Sequence, residues 1–546
     1  MGTRRPPAKR PPRPRQLPLL LLSLLCLLFV LLAPVAHAAP TDETYEEDLH
    51  LTQLPDGKVV ADFRFLRRIG PAALAQVKEN HYSLLPRAIG EIVQTFGVEE
   101  LHLTFTRGNW NHQKWGYSPL SAATGVQLWT WFNASSVDDQ WKGLTHALSG
   151  LYCASLNQID RSSTAEPMLS FRPEGDYEDD AVKDKLELRY GSLPHEAVCT
   201  ENLTPWTKLL PCQTKAGIAS LFNAYRLFDG HYHSMGTHIR PIAMNDGFAR
   251  GIELLQTLSV VMNPLRLDNR KDWSLSTIFE RKINTACAIA QRTDVTVTVW
   301  GHGGSRFDPA PSSTTTDKDG RMSAQYYLGS TPGELDVGVQ WEDSAVDHRV
   351  NLTRSYTHVH RYQTGYGGER GGLAVDLHNH HPTADLHITY FETVPWYLKL
   401  YLHTLKAETT ANATYEVVND LYFQPAIDRG RPAVLEMAMS LPANSVTTLH
   451  IDFDMAYIKY TEHPPDANRG FDIGAAVITF RPLDASPESS GALQRIHTQT
   501  VLVSLPTPDF SMPYNVITLT CTLMALFFGS MFNMLTRRFV PVEAKL

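Results

Sequence analysis

The sequence predicts an α+β fold that is predominantly β and that ends in one transmembrane helix. Three features of the 546 residues lead to this prediction. Helix-like and strand-like apolar periodicities alternate in the first half. Short strand-like segments separated by turn residues fill the second half, and a long uncharged apolar run lies near the C-terminus. We therefore expect a mixed α/β luminal domain over residues 39–265, an antiparallel β-sandwich over residues 266–512 and a membrane helix over residues 514–535.

The first 38 residues have the pattern of a secretory signal peptide. Six basic residues lie in the first sixteen positions, an apolar run covers Leu17–Leu32, and the small-residue site Ala36-His37-Ala38 follows. The apolar run is short for a membrane span, so we expect cleavage after Ala38, the alternative being a retained signal anchor. Cleavage would leave 43 basic against 57 acidic residues. A mature chain this acidic is not expected to bind nucleic acid, which requires clustered Lys and Arg.

Helices and strands alternate along residues 39–265. Leu85–Phe96 is predicted to be a helix, because its apolar residues recur at helical spacing, Pro86 lies in the first turn and Gly97 ends it. Residues 101–105 alternate as strands do, and residues 126–132 look like another strand. A second helix follows them up to Leu151, with two acidic residues near its positive end.

Strands dominate residues 266–512, and the boundary before them is expected at Asn263–Lys271, where Pro and charged residues cluster. The turn Pro442–Ser445 is predicted to join the last two strands as a hairpin. Many short strands with turn signals between them favour an antiparallel sandwich. The alternating segments are Val295–Val299, Leu335–Trp341, Leu386–Tyr390, Leu398–Leu402, Leu435–Leu441 and Leu449–Phe453.

The apolar run Tyr514–Leu535 is long enough to cross a bilayer as a helix. Basic residues follow it at once, and they prefer the cytoplasmic side, so we expect a single-pass type I protein with a cytoplasmic tail over residues 536–546. This tail makes the run a poor match to a cleaved GPI-attachment signal. Ala525, Gly529 and Asn533 are candidates for helix packing within the membrane, because small and amide side chains permit close contact; a single tolerant anchor is the alternative.

Four cysteines lie outside the signal and the span, and the oxidising compartment favours disulfides between them. They are Cys153, Cys199, Cys212 and Cys287. Four cysteines allow three pairings, among which the sequence does not choose. Glycosylation is expected at the sequons of Asn133, Asn351 and Asn412, whereas we expect that of Asn202 to be poorly used, because Pro205 and Cys199 lie close by.

No catalytic or metal site is predicted. The pair His302-Gly303 resembles the histidine motif of caspase- and legumain-like proteases, but the only later cysteine, Cys521, lies in the span. Two histidine groups have spacings that allow metal ligation, yet carboxylate or cysteine signatures are missing around them, so we expect no metal and no cofactor. These groups are His231, His233 and His238, and His378, His380 and His381.

Several long strings resemble the PIG-T family, a subunit of the GPI transamidase, in order over roughly residues 50–540. The clearest are Val198–Trp206, which reads VCTENLTPW and continues to Cys212, and Leu505–Val516. Further strings are Leu148–Asn157, Gln256–Val260, Lys271–Leu275, Thr393–Leu398 and Leu441–Thr447. Strings of this length and order are much more specific than a single glycine motif.

The resemblance implies a non-catalytic luminal scaffold in the endoplasmic reticulum membrane. The complex joins the cut C-terminus of a precursor protein to a GPI lipid, and a separate caspase-like subunit of the PIG-K type performs the reaction. The other implied partners are a GAA-type GPI-anchor attachment protein and PIG-S- and PIG-U-type subunits. The rival functions are a cell-surface β-sandwich binding receptor and a free-standing luminal hydrolase.

The resemblance also gives one residue a role. In this family the cysteine of the VCTENLTPW string forms a disulfide to the catalytic subunit, and here that residue is Cys199. Cys153, Cys212 and Cys287 would then supply at most one internal pair. The alternative is that Cys199 itself pairs internally, for example with Cys212 or Cys153.

Overall fold

A computed structural model describes residues 42–118, 120–133, 135–177, 183–243, 250–268, 271–300, 304–317, 320–329, 334–342, 356–365, 368–411, 417–464, 466–482, 493–507, 509 and 511–539. The predicted signal peptide, the His302-Gly303 pair and the sequons of Asn351 and Asn412 lie outside these residues. The β-rich α+β fold is confirmed.

The helices lie mostly in the first half of the chain. They are α1 (Pro71–Lys78), α2 (Arg87–Phe96), α3 (His112–Trp115), α4 (Val137–Tyr152), α5 (Thr200–Lys208), α6 (Ala224–Phe228), α7 (Pro264–Asp268), α8 (Leu275–Phe279) and α9 (Ser511–Thr536). Both predicted luminal helices are present as α2 and α4. Gly97 ends α2 in the left-handed conformation with φ +61°, which glycine adopts without steric cost.

The strands of the first half build one large sheet, which has eleven strands within the described ranges. The strands of this part of the chain are β1 (Glu43–Gln53), β2 (Val59–Ile69), β3 (Val98–Arg107), β4 (Gly125–Phe132), β5 (Thr164–Ala165), β6 (Glu187–Leu193), β7 (Tyr232–Ala243), β8 (Arg250–Met262), β9 (Trp273–Ser274), β10 (Arg292–Trp300), β11 (Ser305–Asp308), β12 (Ser313–Thr316) and β13 (Arg321–Tyr327). All of them except β9 and β11 belong to the large sheet. The order across the sheet is β12-β13-β10-β1-β2-β8-β7-β3-β4-β6-β5. β9 and β11 join β14 (Gly338–Trp341) in a small separate sheet.

The described residues of the second half form two five-stranded sheets and one strand pair. The remaining strands are β15 (Thr357–Thr364), β16 (Arg370–Asn379), β17 (Leu386–Val394), β18 (Leu398–Leu400), β19 (Lys406–Thr409), β20 (Val418–Gln424), β21 (Ala433–Leu441), β22 (Ser445–Met455), β23 (Phe471–Ile473), β24 (Val477–Phe480), β25 (Gln494–His497) and β26 (Val501–Val503). One sheet has the order β15-β16-β22-β18 with β19 also on β22, the other has β20-β21-β17-β24-β25, and β23 pairs with β26.

The strand around Val295 belongs to the first sheet, and the expectation that it is part of the sandwich is corrected. β10 runs parallel to β1, with Val295 opposite Leu49 and Val297 opposite Leu51. Alternation shows that a strand has one buried face but does not reveal its pairing partner, which here lies about 245 residues earlier in the chain. In chain order, β14 ends the strands of the first sheet and its small neighbour, and β15 begins the strands of the second half; the domain boundary expected near residue 265 stays a prediction.

The predicted hairpin at Pro442–Ser445 is also corrected. β21 pairs with β17 and β20, whereas β22 pairs with β16, β18 and β19, so this turn carries the chain from one sheet to the other. The side-chain amide of Asn379, from β16, donates hydrogen bonds to the carbonyl oxygens of Leu441 and Pro442, both at 3.0 Å. A short polar turn thus fits a crossover between packed sheets as well as a hairpin.

A buried ion pair joins the two five-stranded sheets. Arg361 on β15 and Glu392 on β17 lie 2.5 Å apart, and their side chains are 0% and 3% exposed. Tyr390 donates its hydroxyl to Glu392 at 2.5 Å, and Arg361 donates to the carbonyl of Gly474 at 2.6 Å. Buried charges need such partners, because desolvation would otherwise exceed their mutual attraction.

The two halves of the chain also contact each other. Glu436 on β21 is fully buried, and its carboxylate accepts the backbone N–H groups of Met168, Leu169 and Ser170 at 2.6, 2.9 and 3.0 Å. Beside this contact, aromatic and aliphatic side chains of both halves form one apolar cluster, including Phe171 and Phe391 with ring centroids 5.3 Å apart. Three hydrogen bonds to one charged group in a dry site hold this contact firmly.

Candidate functional site

The C-terminus of α4 meets the N-terminus of α5 at a corner that carries two unpaired cysteines. Cys153 is the C-cap of α4, with φ +51°, and Cys199 is the N-cap of α5. We call Cys153, Cys199 and Asn202 the Cys199 corner. Cys153 is exposed and Cys199 is half-buried, and neither forms a disulfide with a described residue.

Asn202 connects the two cysteines of this corner. Its side-chain oxygen accepts the backbone N–H of Cys199 at 3.1 Å, which caps the helix. Its side-chain nitrogen donates to the carbonyl oxygens of Tyr152 and Cys153, both at 3.1 Å. Asn202 is 1% exposed, so its amide is committed to this geometry. This placement supports the expectation that its sequon is poorly used, which stays a prediction.

The helix α5 is anchored to the sheet by a buried tryptophan. Trp206 is fully buried, and its indole N–H donates to the carbonyl of Gly236 on β7 at 3.0 Å. Its ring packs edge-on against Phe65 of β2, with centroids 6.1 Å apart. A helix fastened to the sheet by its last turn presents its N-cap in a defined position, so the thiol of Cys199 is held by the core rather than by a loose loop.

Cys212 and Cys287 form a disulfide with each other. Cys212 follows α5, and Cys287 lies between α8 and β10, where it is 2% exposed. The backbone N–H of Gly217 also donates to the carbonyl of Thr285 at 2.8 Å, beside the disulfide. The chain that leaves α5 is therefore tied to the segment before β10.

A cavity of 170 Å³, lined by both polar and apolar side chains, opens between the first sheet and β25. Glu100 is fully buried at its side, and its carboxylate accepts hydrogen bonds from the ring of His102, the backbone N–H of Glu174 and the hydroxyl of Tyr177 at 2.9 to 3.2 Å. His102 in turn contacts His238, with their Nδ1 atoms 3.0 Å apart.

Burial lowers the pKa of His238 to about 3, so this ring is neutral at pH 7. Burial alone would raise the pKa of Glu174, but the adjacent Arg495 guanidinium and His102 lower it to about 2. Glu174 is therefore ionised and pairs with Arg495 at 2.6 Å. The cavity contains compensated charges, and its histidine–carboxylate contacts resemble a structural network.

The two histidine groups of the sequence differ in the structure. His233 and His238 lie five residues apart on β7 and so point to opposite faces of the sheet, and His231 precedes the strand. His378 and His380 lie on one face at the end of β16, together with His358 of β15, which the sequence pattern missed. The Nδ1 atom of His381 instead accepts the backbone N–H groups of Thr383 and Ala384.

The helix α9 is long and apolar enough to span a membrane, with a mean hydropathy of 1.7 and 26 residues. Its threonines do not offer free hydroxyls, because Thr518, Thr520 and Thr522 each donate to the carbonyl four residues earlier at 2.8 Å. Ala525, Gly529 and Asn533 recur every four residues along one stripe. Space lies open beside Gly529 within this chain.

The remaining described sequon, that of Asn133, lies directly after β4 and is exposed. Its side-chain nitrogen donates weakly to Glu99 at 3.3 Å. An exposed amide at a strand end is the kind of site that a glycosylating enzyme can reach. Its use, like that of the other sequons, stays a prediction.

Comparison with known proteins gives one consistent family. The profile described as "Gpi16 subunit, GPI transamidase component" matches residues 26–272 and 263–546. The chain is 40% identical to the human GPI-anchor transamidase component PIGT, with 92% of each chain covered. It is 34% identical to the Saccharomyces cerevisiae GPI transamidase component GPI16, with 91% of this chain and 89% of the relative covered.

One further relative and one solved structure complete the comparison. The Schizosaccharomyces pombe GPI transamidase component PIG-T homolog is 32% identical, with 96% of this chain and 95% of the relative covered. A crystal structure of a GH20 exo-β-N-acetylglucosaminidase from Vibrio harveyi matches 28% of this chain and 20% of its own at 15% identity. Its TM-score of 0.17 is too low to indicate a shared fold.

Proposed function

Because this chain belongs to the family of GPI transamidase components that includes PIGT and GPI16, we propose that it is the non-catalytic scaffold subunit of that complex. In this proposal it works in the endoplasmic reticulum membrane as a single-pass type I protein with its bulk in the lumen. It supports the attachment of GPI anchors to the C-termini of precursor proteins, and it meets the GPI lipid and the precursor through the complex.

The observation that carries the scaffold proposal is the Cys199 corner. Cys199 lies at the start of a helix that is anchored to the core, and its thiol has no disulfide partner among the described residues. Cys212 and Cys287 are already joined to each other, so neither competes for the thiol of Cys199. Among the described residues before α9, this leaves Cys153 as the cysteine that could pair with it. We propose that Cys199 forms an interchain disulfide to the caspase-like catalytic subunit of the PIG-K type.

A covalent link between subunits changes the physics of assembly. Once the disulfide has formed, the surrounding contacts act at a high effective concentration, which raises the apparent affinity by a factor of about 10² to 10⁴. The remaining partners in the proposal, the GAA-type, PIG-S- and PIG-U-type subunits, bind without this link. The membrane stripe of Ala525, Gly529 and Asn533 is the proposed contact for a neighbouring helix.

Cells that lack this chain are expected to lose GPI-anchored proteins from their surface, because the transamidase would not assemble. Flow cytometry of a GPI-anchored marker measures this loss, and a transmembrane marker on the same cells is the control. Re-expression of the chain should restore only the GPI-anchored marker. Normal levels of that marker in the depleted cells would contradict the scaffold function. Glycans resistant to endoglycosidase H would instead favour the cell-surface receptor.

Gly529→Leu is expected to lower the amount of partner subunits that copurify with the chain. A leucine keeps the span apolar, so insertion is preserved, but it fills the space that lets a second helix approach, at a cost on the order of 1 kcal/mol. Quantitative mass spectrometry of the purified complex measures this as a several-fold fall. Phe527→Leu is the matched control, since residue 527 lies on the opposite side of the helix. Equal yields from both variants would show that the stripe is not an interface.

A further inference from the structure

Three histidines meet on the outer face of the sandwich hairpin formed by β15 and β16. His358 and His378 are directly opposite each other in the antiparallel register. His380 follows two residues after His378, and its backbone N–H donates to the carbonyl of Tyr356 at 2.7 Å, which extends the same register. Opposite residues and residues two apart share one face of a sheet, so the backbone itself brings the three imidazoles together.

The distances between the rings suit a shared ligand. The ring centroids of His358 and His378 are 4.0 Å apart, those of His358 and His380 are 4.9 Å apart, and those of His378 and His380 are 5.6 Å apart. One nitrogen from each ring lies within 4.8 Å of the other two. A tetrahedral ion with bonds of about 2.0 to 2.1 Å places its ligand nitrogens about 3.3 Å apart, so ring-tip movements of about 1 Å complete the site.

His381, the next residue after His380, does not belong to this group of rings. The Nδ1 atom of His381 accepts two backbone N–H groups and so stabilises the following turn. His378 is half-buried, and Asp376 lies two residues before it on the same face of β16. The lone pair of an imidazole nitrogen is the group that a metal ion binds.

We propose that His358, His378 and His380 bind one divalent transition-metal ion. Imidazole nitrogens suit borderline ions such as Zn²⁺, Ni²⁺ and Cu²⁺, whereas Ca²⁺ and Mg²⁺ prefer oxygen ligands. Three protein ligands leave a fourth position for water or for a group from a bound partner. This site is independent of the Cys199 corner and of the function proposed for it.

Metal binding has a structural consequence at this position. Among the described strands, β15 lies at the edge of its sheet and pairs there with β16. An ion shared by His358 on β15 and by His378 and His380 at the end of β16 would fasten the edge strand to the sheet. Because the ion binds the folded state, it stabilises that state by mass action. Added metal should therefore raise the melting temperature of the chain.

The test is a zinc titration of the full-length chain, purified in detergent with a streptavidin-binding tag so that no histidine tag competes. We expect one Zn²⁺ per chain by isothermal titration calorimetry, and a higher melting temperature with Zn²⁺ present. His378→Gln should weaken zinc binding about tenfold or more, because it removes one of three ligands, and should reduce the thermal shift at the same zinc concentration. His358→Gln on the edge strand should act in the same way.

The matched control is His403→Gln, which changes an exposed histidine of the same half of the chain. This variant should bind zinc and shift its melting temperature as the wild-type chain does. A wild-type chain that binds no zinc would overturn the proposal. So would equal zinc binding by the wild-type, His378→Gln and His358→Gln chains, which would indicate ions held elsewhere.

Discussion

Cys199→Ser is expected to remove the reduction-sensitive larger form of this chain from non-reducing gels of microsomes. In the wild-type lane that band should contain the caspase-like partner, and a reducing agent should convert it to the monomer. The substitution should not disturb the corner itself, because serine is among the best N-cap residues and can keep the position at the start of α5. Loss of the band would therefore report loss of the thiol.

The noncovalent complex should survive in this variant, though more weakly. Contacts around the disulfide remain, but they no longer benefit from the high effective concentration that the link provides. Copurification of the catalytic subunit should thus fall and become sensitive to dilution. Complete loss of the complex would show that the noncovalent contacts alone are too weak to hold it.

Cys153→Ser is the matched control, since Cys153 is the second unpaired thiol of the same corner and is more exposed than Cys199. This variant should keep the larger band. A band that persists in Cys199→Ser and disappears in Cys153→Ser would transfer the link to Cys153. A monomeric band in every lane, wild type included, would contradict an interchain disulfide at this corner.

Local signals in the sequence predicted the elements of the fold well. Helical spacing with Pro86 before it and Gly97 after it defined α2 to within two residues, because capping is decided by neighbours in the chain. The alternating segment Leu435–Leu441 likewise lies within two residues of the bounds of β21, whereas β22 begins four residues before the predicted Leu449–Phe453. The fold class followed from these elements, because a chain rich in short strands has few ways to bury them.

Pairing between distant segments could not be predicted from the same signals. Val295–Val299 alternates like any half-buried strand, and its parallel pairing with β1 is a property of the assembled sheet. The turn at Pro442–Ser445 has hairpin residues, yet it leads between sheets because β21 pairs with β17 and β22 pairs with β16; Asn379, more than sixty residues earlier, binds its carbonyl oxygens. Both cases are decided by tertiary contacts that a single sequence does not reveal.

Some residues of the candidate site could likewise be predicted from the sequence and others could not. Cys199 was found through the string in which it lies, but the sequence left all three pairings of the four cysteines open, and the structure joins Cys212 to Cys287. The role of Asn202 as a cap and bridge was hidden, because a sequon and a capping residue look alike in sequence. His358 was missed because it lies twenty residues before His378 and meets it only through strand pairing.

Removal of the Cys212–Cys287 disulfide is expected to cause the largest single change in the stability of the part of the chain before α9. The two cysteines are 75 residues apart. In the loop-entropy account, closing a loop of this length lowers the conformational entropy of the unfolded chain and raises its free energy by about 4 to 5 kcal/mol. Measured losses for native disulfides are about 2 to 5 kcal/mol. The double variant Cys212→Ser/Cys287→Ser should therefore melt several degrees below the wild-type chain in detergent.

The double variant is preferable to Cys212→Ser alone, because a single change would leave Cys287 free to pair wrongly with Cys199 or Cys153. Cys153→Ser is the control for a lost thiol, and it should melt with the wild type, since exposed substitutions change stability by about 0.5 kcal/mol or less. Because the disulfide fastens the chain that leaves α5, the double variant should also yield less of the Cys199-dependent band. Unchanged melting would show that the contact between Gly217 and Thr285 and the surrounding core hold this segment without the disulfide.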